Sequence, residues 1–251
     1  MPRPTEIILL PQMQLMSGNI ADDCLRDLAH MLEDLYNTGE QRETPNKMRW
    51  SGFNEEDQHG SDHSSSLAGR IYKGKQLTID DNHQQFLKFK NVLMKSADEY
   101  IRAFRQYEMD NTSASSLPEK WKLHFQHVWS VYQFEGDYNP IHYHDSVYES
   151  TLSGFIHMNV PEGVARQWDT KVEPTTNTRD IDGATEIIWN CNSPRSAIDF
   201  RFPGNLFIIP TIGTWFMFPS WLNHVVYPYR GEGCRVSVSW NIGIEWVWPN
   251  A

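Results

Sequence analysis

Cysteine is scarce in this chain. Three occur in 251 residues, Cys24, Cys191 and Cys234; their odd number and wide spacing exclude a disulfide framework and a thiolate zinc site and leave ordinary free thiols. Long apolar runs are also missing. No stretch approaches the ~20 residues that a bilayer span requires, and MPRPTEIILLPQMQ at the N-terminus is too weakly apolar for a signal peptide, so the expectation is a cytoplasmic protein with no membrane partner. Basic residues are outnumbered, 22 Lys and Arg against 32 Asp and Glu, for a net charge of -10. An acidic surface repels phosphodiester backbones and anionic headgroups, which disfavours nucleic acid as a partner. No internal repeat is visible.

Aromatic residues, by contrast, are plentiful at 13%, and most of the ten Trp lie from Trp121 onward, where flat side chains suit the pleated faces of a sheet. Ahead of them, TEIILL at residues 5–10 reads as a short strand. Leu25, Leu28, Leu32 and Leu35 then recur at helical spacing over residues 19–36, and a second helix is predicted from His83 to Tyr107 by Phe86, Phe89, Val92, Leu93, Ala97, Tyr100, Ile101 and Phe104, after Asp80 and Asp81 as cap candidates. Between the helices, residues 38–80 are polar and rich in Gly, Ser and Asn and read as a long loop. His59 and His63 fall in that loop, without the helical context that would make their spacing a metal site. MDNTSASSLPEK, ending near Pro118, marks the boundary of the helical front.

From there, runs of strand length follow one another without an intervening helical pattern: LHFQHVWSVYQF, TLSGFIHMNV, ATEIIWNC, AIDFRF, NLFIIP, GTWFMF, HVVYPY and RVSVSWNIGIEWVW, punctuated by EGDYNP, PEG, FPGN and RGEG. The expected fold is mainly β with N-terminal helices, a double-stranded β-helix (jelly roll) core at 119–251 carrying a helical and loop region at 1–118.

His142 and His144 follow the turn EGDYNP at spacing i, i+2, which on a strand presents two imidazoles to one side. His224 opens a later strand in FPSWLNHVVYP. A jelly roll can bring such strands together, and three neutral donors on one face leave coordination positions free, the mark of a catalytic rather than a structural metal site. Arg235 and Ser237 share a strand face eleven residues on, where a guanidinium and a hydroxyl make a clamp for a carboxylate. His124 and His127 read as structural, on opposite faces of their strand.

These stretches resemble the 2-oxoglutarate and Fe(II)-dependent oxygenase superfamily over roughly residues 125–245, in particular its prolyl-hydroxylase-like branch and the small oxygenases of bacteria and phages. The matching motifs are His142 to His144, Ser153-Gly154-Phe155, Phe218-Pro219-Ser220 with His224, and Arg235 to Asn241. The resemblance implies Fe(II) on His142, His144 and His224, 2-oxoglutarate held at its distal carboxylate by Arg235 and Ser237, and Tyr132 touching the cosubstrate from ten residues before His142. His157 falls where such enzymes often carry a tyrosine, and reads better as a space-filling or hydrogen-bonding residue. Most of the superfamily has a carboxylate where His144 stands, so adjacent Asp145 is the alternative third ligand. The implied activity is hydroxylation coupled to decarboxylation of 2-oxoglutarate to succinate, behind a wall of aromatic residues around Trp215, Phe216 and Trp221.

Two other readings remain open at this stage. A cupin-type metal dioxygenase or isomerase would use Gly136, His142, His144, Glu149, Gly213, Pro219 and His224, and would leave Arg235 and Ser237 without a role. A metal-free jelly-roll binding or structural protein would need no convergence of histidines. The substrate, whether small molecule or protein side chain, and the oligomeric state are not legible.

Overall fold

The computed structural model describes residues 14–39, 59–64, 71–112, 115–144, 150–169, 181–189 and 204–248. The strand expected at residues 5–10, AIDFRF, Cys191, Asp145 and Glu149 all lie outside the described residues.

Two antiparallel sheets face each other. Six strands form the larger, in the order β1 (Met16–Asn19), β8 (Thr214–Pro219), β5 (Ser150–Asn159), β10 (Arg235–Val247), β3 (Lys120–Gln133) and β2 (Lys75–Thr78). The smaller has four, in the order β4 (Asn139–His142), β9 (Asn223–Val226), β6 (Thr185–Ile188) and β7 (Asn205–Ile208). Consecutive strands in the chain are seldom neighbours in a sheet, and this interleaving across two curled sheets is the expected double-stranded β-helix.

The sequence periodicity explains which face goes where. Along β10 the even positions Val238, Trp240, Ile242 and Ile244 are buried in the larger apolar core. They meet Leu28, Met31, Leu32 and Leu35 of α1 (Asp22–Thr38) and Phe89, Leu93, Ala97 and Ile101 of α2 (Leu87–Thr112). Both helices thus lie flat on the outer face of the six-stranded sheet. The odd positions Arg235, Ser237, Ser239 and Asn241 face the opposite sheet, because successive side chains on a strand alternate. A smaller apolar cluster, Phe155, Ile187, Ile208, Phe218 and Leu222, closes the space between the sheets.

Several expectations are corrected. α2 continues beyond Tyr107 to Thr112, four residues into the polar stretch expected to end it, with Glu108 accepting hydrogen bonds from the Ser115 and Ser116 hydroxyls just beyond. The supposed loop at 38–80 contains β2, whose KQLT pairs with β3. Helix α3 (Glu162–Asp169) interrupts the β half. His124 and His127 do not face opposite ways: a bulge shifts the register so that His127 pairs with Asn241 and His124 with Gly243. One extra residue in a strand inverts its alternation, and the two histidines therefore share a face.

One motif residue is explained by packing alone. Gly154 sits beside Trp240 in the β5–β10 pairing, and a Cβ there would lie 2.5 Å from the indole ring and closer still to the Phe216 carbonyl oxygen. Only glycine lets the large ring lie flat across the sheet.

Candidate metal centre

β4 and β9 pair so that His142 lies directly opposite His224, which is how residues far apart in the chain become neighbours. His144 lies just past the end of β4. Its backbone N–H donates to the Ser220 carbonyl at 2.9 Å, and the Ser220 N–H in turn donates to the Thr151 carbonyl at 3.1 Å. The Phe-Pro-Ser turn therefore pins the segment that carries the third ring. Ring centroids stand 4.1 Å apart for His142 and His224, 5.0 Å for His144 and His224, and 5.2 Å for His142 and His144. Their donor atoms all lie within 4.8 Å of one another, and among the described residues this is the cluster of three or more metal-ligating side chains that forms.

The contacts of one nitrogen of each ring fix the state of the other. Nδ1 of His142 lies 2.7 Å from the Pro140 carbonyl, Nδ1 of His224 3.0 Å from the Leu222 carbonyl, and Nδ1 of His144 2.9 Å from Asn241 Oδ1. Carbonyl oxygens only accept, so each Nδ1 carries the proton and donates it, and each Nε2 keeps its lone pair. Three imidazoles fixed in one tautomer with Nε2 free are the donor set that a divalent transition metal takes. Burial lowers the basicity of all three: His142 below its ordinary range, His144 to about 4 with His142 adding to the effect, and His224 well below the usual value. They are neutral imidazoles, not cations.

Asn241 ties the centre to the sheet. Its Oδ1 also accepts from the Ser153 hydroxyl at 2.7 Å. The serine of Ser153-Gly154-Phe155 and the asparagine that ends the Arg235–Asn241 motif thus act together on His144, while Phe155 faces the cavity.

That cavity runs from the histidines to Arg235. Its walls include Trp129, Val131, Gln133, Phe155, Phe218, Val226, Ser237 and Ser239. No Asp or Glu is among the described residues that line it. The aromatic wall is Trp129, Phe155 and Phe218 rather than the residues expected: Trp215 faces the helix-side core, Phe216 packs in the small cluster, and Trp221 is 59% exposed. Alternation along β8 accounts for Trp215, since it shares a face with Met217 and not with Phe218.

Arg235 is 2% exposed. Its Nη1 donates to Gln133 Oε1 at 2.7 Å, and its Nη2 to His157 Nε2 at 3.0 Å and to Thr185 Oγ1 at 3.2 Å. All three partners are neutral, and no ion pair to it occurs among the described residues. Burial without an anion pushes the guanidinium down to about 10. His157, fully buried, keeps its proton on Nδ1 so that Nε2 can accept, and burial with the adjacent guanidinium holds it well below its ordinary range. It makes a hydrogen bond, as expected, and supports the arginine.

Tyr132 is placed elsewhere. Its hydroxyl donates to the Leu32 carbonyl of α1 at 2.6 Å, and its ring lies 4.8 Å from Tyr36. Val131 and Gln133 on either side point into the cavity, so Tyr132 faces the helices and cannot touch a cosubstrate there. His59 is likewise remote, stacked on His83 with its Nδ1 accepting from the Asp80 N–H. Gln133, Thr185 and Trp129 are the site residues that sequence reasoning missed. Only knowledge of which residues pair across strands would have pointed to them.

Residues 127–241 match the family model described as "Putative 2OG-Fe(II) oxygenase". No curated protein sequence matches the chain. Among solved structures, a prolyl hydroxylase from Trichoplax adhaerens, in complex with a hypoxia inducible factor oxygen degradation domain peptide fragment, is similar at 12% identity and TM-score 0.50, covering 92% of this chain and 83% of its own. A Pseudomonas putida prolyl-4-hydroxylase matches at 12% identity and TM-score 0.49 with 94% of both chains covered. HygX from Streptomyces hygroscopicus, solved with nickel and 2-oxoglutarate, matches at 8% and 0.46, covering 92% of this chain and 83% of its own.

Proposed function

Residues 127–241 are a 2OG-Fe(II) oxygenase domain, and from that premise we propose that His142, His144 and His224 hold the iron while Arg235 and Ser237 hold the distal carboxylate of 2-oxoglutarate. The enzyme is a 2-oxoglutarate-dependent oxygenase; the finer reading is that it is a hydroxylase acting on a C–H bond of a small molecule or a protein side chain. Iron, when bound, supplies O2 activation coupled to decarboxylation of the 2-oxo acid.

The chain's own residues supply the rest. Three Nδ1–H bonds keep the Nε2 lone pairs aimed at one point before any metal arrives, so little reorganisation is needed on binding. Gln133, His157 and Thr185 hold the guanidinium from three strands, which fixes its direction while leaving its charge unanswered. Trp129, 5.4 Å from the His144 ring, and Phe218, 5.3 Å from that of His224, put apolar surface beside the triad that would keep water from a bound ion.

The observation that carries this reading is the buried arginine with no anion among the described residues, in the same cavity as three free Nε2 atoms. A buried charge of this kind is costly unless a ligand compensates it, and a dicarboxylate that also chelates a metal does so. The cupin alternative gives Arg235 no task, and its Glu149 lies outside the described residues. A cytoplasmic location belongs to the same proposal and is supported by the free thiols Cys24 and Cys234; no helix among the described residues is long and apolar enough to cross a membrane.

Anaerobic addition of Fe(II) and then 2-oxoglutarate should produce a visible charge-transfer band, and admission of O2 should yield succinate. A chain that binds neither refutes the assignment.

A further inference from the structure

Resting on the reading above, one residue of the cavity has a role that neither the metal nor the arginine explains. Gln133 pairs directly with Arg235 across β3 and β10 and is 2% exposed. A guanidinium only donates, so the Gln133 atom facing Nη1 at 2.7 Å must be the carbonyl Oε1. That turns the amide nitrogen away, and Nε2 is buried with no hydrogen-bond partner, as is Arg235 Nε. Both residues line the cavity. Two buried donors on paired residues are therefore left open in a wall that holds no Asp or Glu among its described residues.

Glutamine and glutamate have nearly the same shape. A glutamate at 133 would put an anion against Nη1 and complete an internal ion pair; glutamine gives the same hydrogen bond and leaves the charge to be met from outside. We propose that Gln133 determines which 2-oxo acid the enzyme accepts: it holds Arg235 without neutralising it and adds its own N–H to the ligand's tail carboxylate, so that an anionic tail is required.

The test is titration of 2-oxoglutarate and of 2-oxopentanoate, which has the same chelating end and a methyl-terminated tail, into anaerobic Fe(II)-loaded protein, read by the charge-transfer band that both acids give on chelation. Wild type should favour 2-oxoglutarate. In Gln133→Glu its affinity should fall by about 100-fold or more, as an anion now faces an anion, while 2-oxopentanoate should bind at least about threefold more tightly than in wild type, since its uncharged tail no longer strands a cation. Gln133→Met, similar in shape but without donor or acceptor, should lose about tenfold for 2-oxoglutarate and leave 2-oxopentanoate unchanged. A Gln133→Glu protein that keeps the wild-type preference within about threefold, or a Gln133→Met protein with unaltered 2-oxoglutarate affinity, overturns the proposal. So does a Gln133→Glu protein that melts well below wild type, because the substitution gives a buried cation its counter-ion. Absence of the band in wild type overturns the oxygenase site itself, and this inference with it.

Discussion

Replacing Arg235 with Met should leave the ligand-free protein nearly as stable as wild type and abolish its response to 2-oxoglutarate. The guanidinium's fall on burial from its ordinary value to about 10 corresponds to roughly 3 kcal/mol at ~1.4 kcal/mol per pH unit. The sign follows from linkage. A base whose folded pKa lies below its unfolded one destabilises the fold at every pH at which it is charged, so the cost is fully present at neutral pH and is relieved only as pH rises through about 10. Methionine removes that cost. It also leaves Gln133 Oε1, His157 Nε2 and Thr185 Oγ1 without their donor, at about 1 kcal/mol each, so the two effects nearly cancel. In the presence of 2-oxoglutarate at 100 times its Kd, with Mn(II) or anaerobic Fe(II), wild type gains about 2.7 kcal/mol. At about 2–4 °C per kcal/mol for a chain of this size, that is a rise in Tm of roughly 5–10 °C. The variant lacks the charge-assisted bonds to the tail carboxylate, worth about 1.5–3 kcal/mol each, and should show almost no shift at the same concentration. Thermal denaturation with and without cosubstrate measures both quantities. A full ligand shift in the variant would show that Arg235 is not the clamp. A ligand-free collapse of more than ~10 °C would show that the guanidinium is already compensated within the fold.

His144→Asp should retain metal, because a carboxylate is an acceptable third donor beside two imidazoles, whereas His144→Ala should lose most of it and Asp145→Asn should lose none; iron content after anaerobic loading checks all three, and the opposite pattern assigns the ligand to Asp145. Asn241→Ala frees the His144 tautomer and should weaken metal binding about 10–100-fold with little change in secondary structure, measured by competition with a metal indicator; unchanged affinity would make the Asn241–His144 bond incidental. Gly154→Ala forces a methyl into the Trp240 ring and should cost about 1–3 kcal/mol or more in urea denaturation, and a neutral result would contradict the packing described. Tyr132→Phe should cost about 0.5–1.5 kcal/mol of stability through the lost bond to Leu32 and leave the 2-oxoglutarate Kd alone; a weakened Kd would return Tyr132 to the site.

What could be read from the sequence, and what could not, divides along strand pairing. Alternation in RVSVSW already placed Arg235 and Ser237 on one face, and the spacing of Leu28, Leu32 and Leu35 already gave α1 its buried side, because both patterns are local. Tyr132 was misplaced for the same reason in reverse. Its distance from His142 matched the resemblance, but which face of β3 turns inward depends on pairing with β10, and the odd residues won. The bulge that puts His124 and His127 on one side is a two-strand property and invisible in either strand alone. Gln133 and Thr185 have no motif at all, since they are defined by reaching one guanidinium from β3 and β6.

The charges inside the cavity also bear on His144, which stands where the resemblance would place a carboxylate. The chain carries 32 acidic residues, yet none of the described residues lining this cavity is one of them. On the proposed ligand set, three neutral imidazoles contribute no negative charge to a divalent ion, no described residue lining the cavity adds one, and Arg235 supplies a positive charge at the far end. A carboxylate in place of His144 would lower the total by one and hold the metal more strongly on its own. Without it, the metal and the guanidinium both depend on the same dianion for neutralisation, so each should bind more tightly when the other end of that dianion is already held. Such coupling is reciprocal by necessity. Under the proposed assignment it makes retention of iron a function of cosubstrate concentration, the physical consequence of a centre built from the neutral donors His142, His144 and His224.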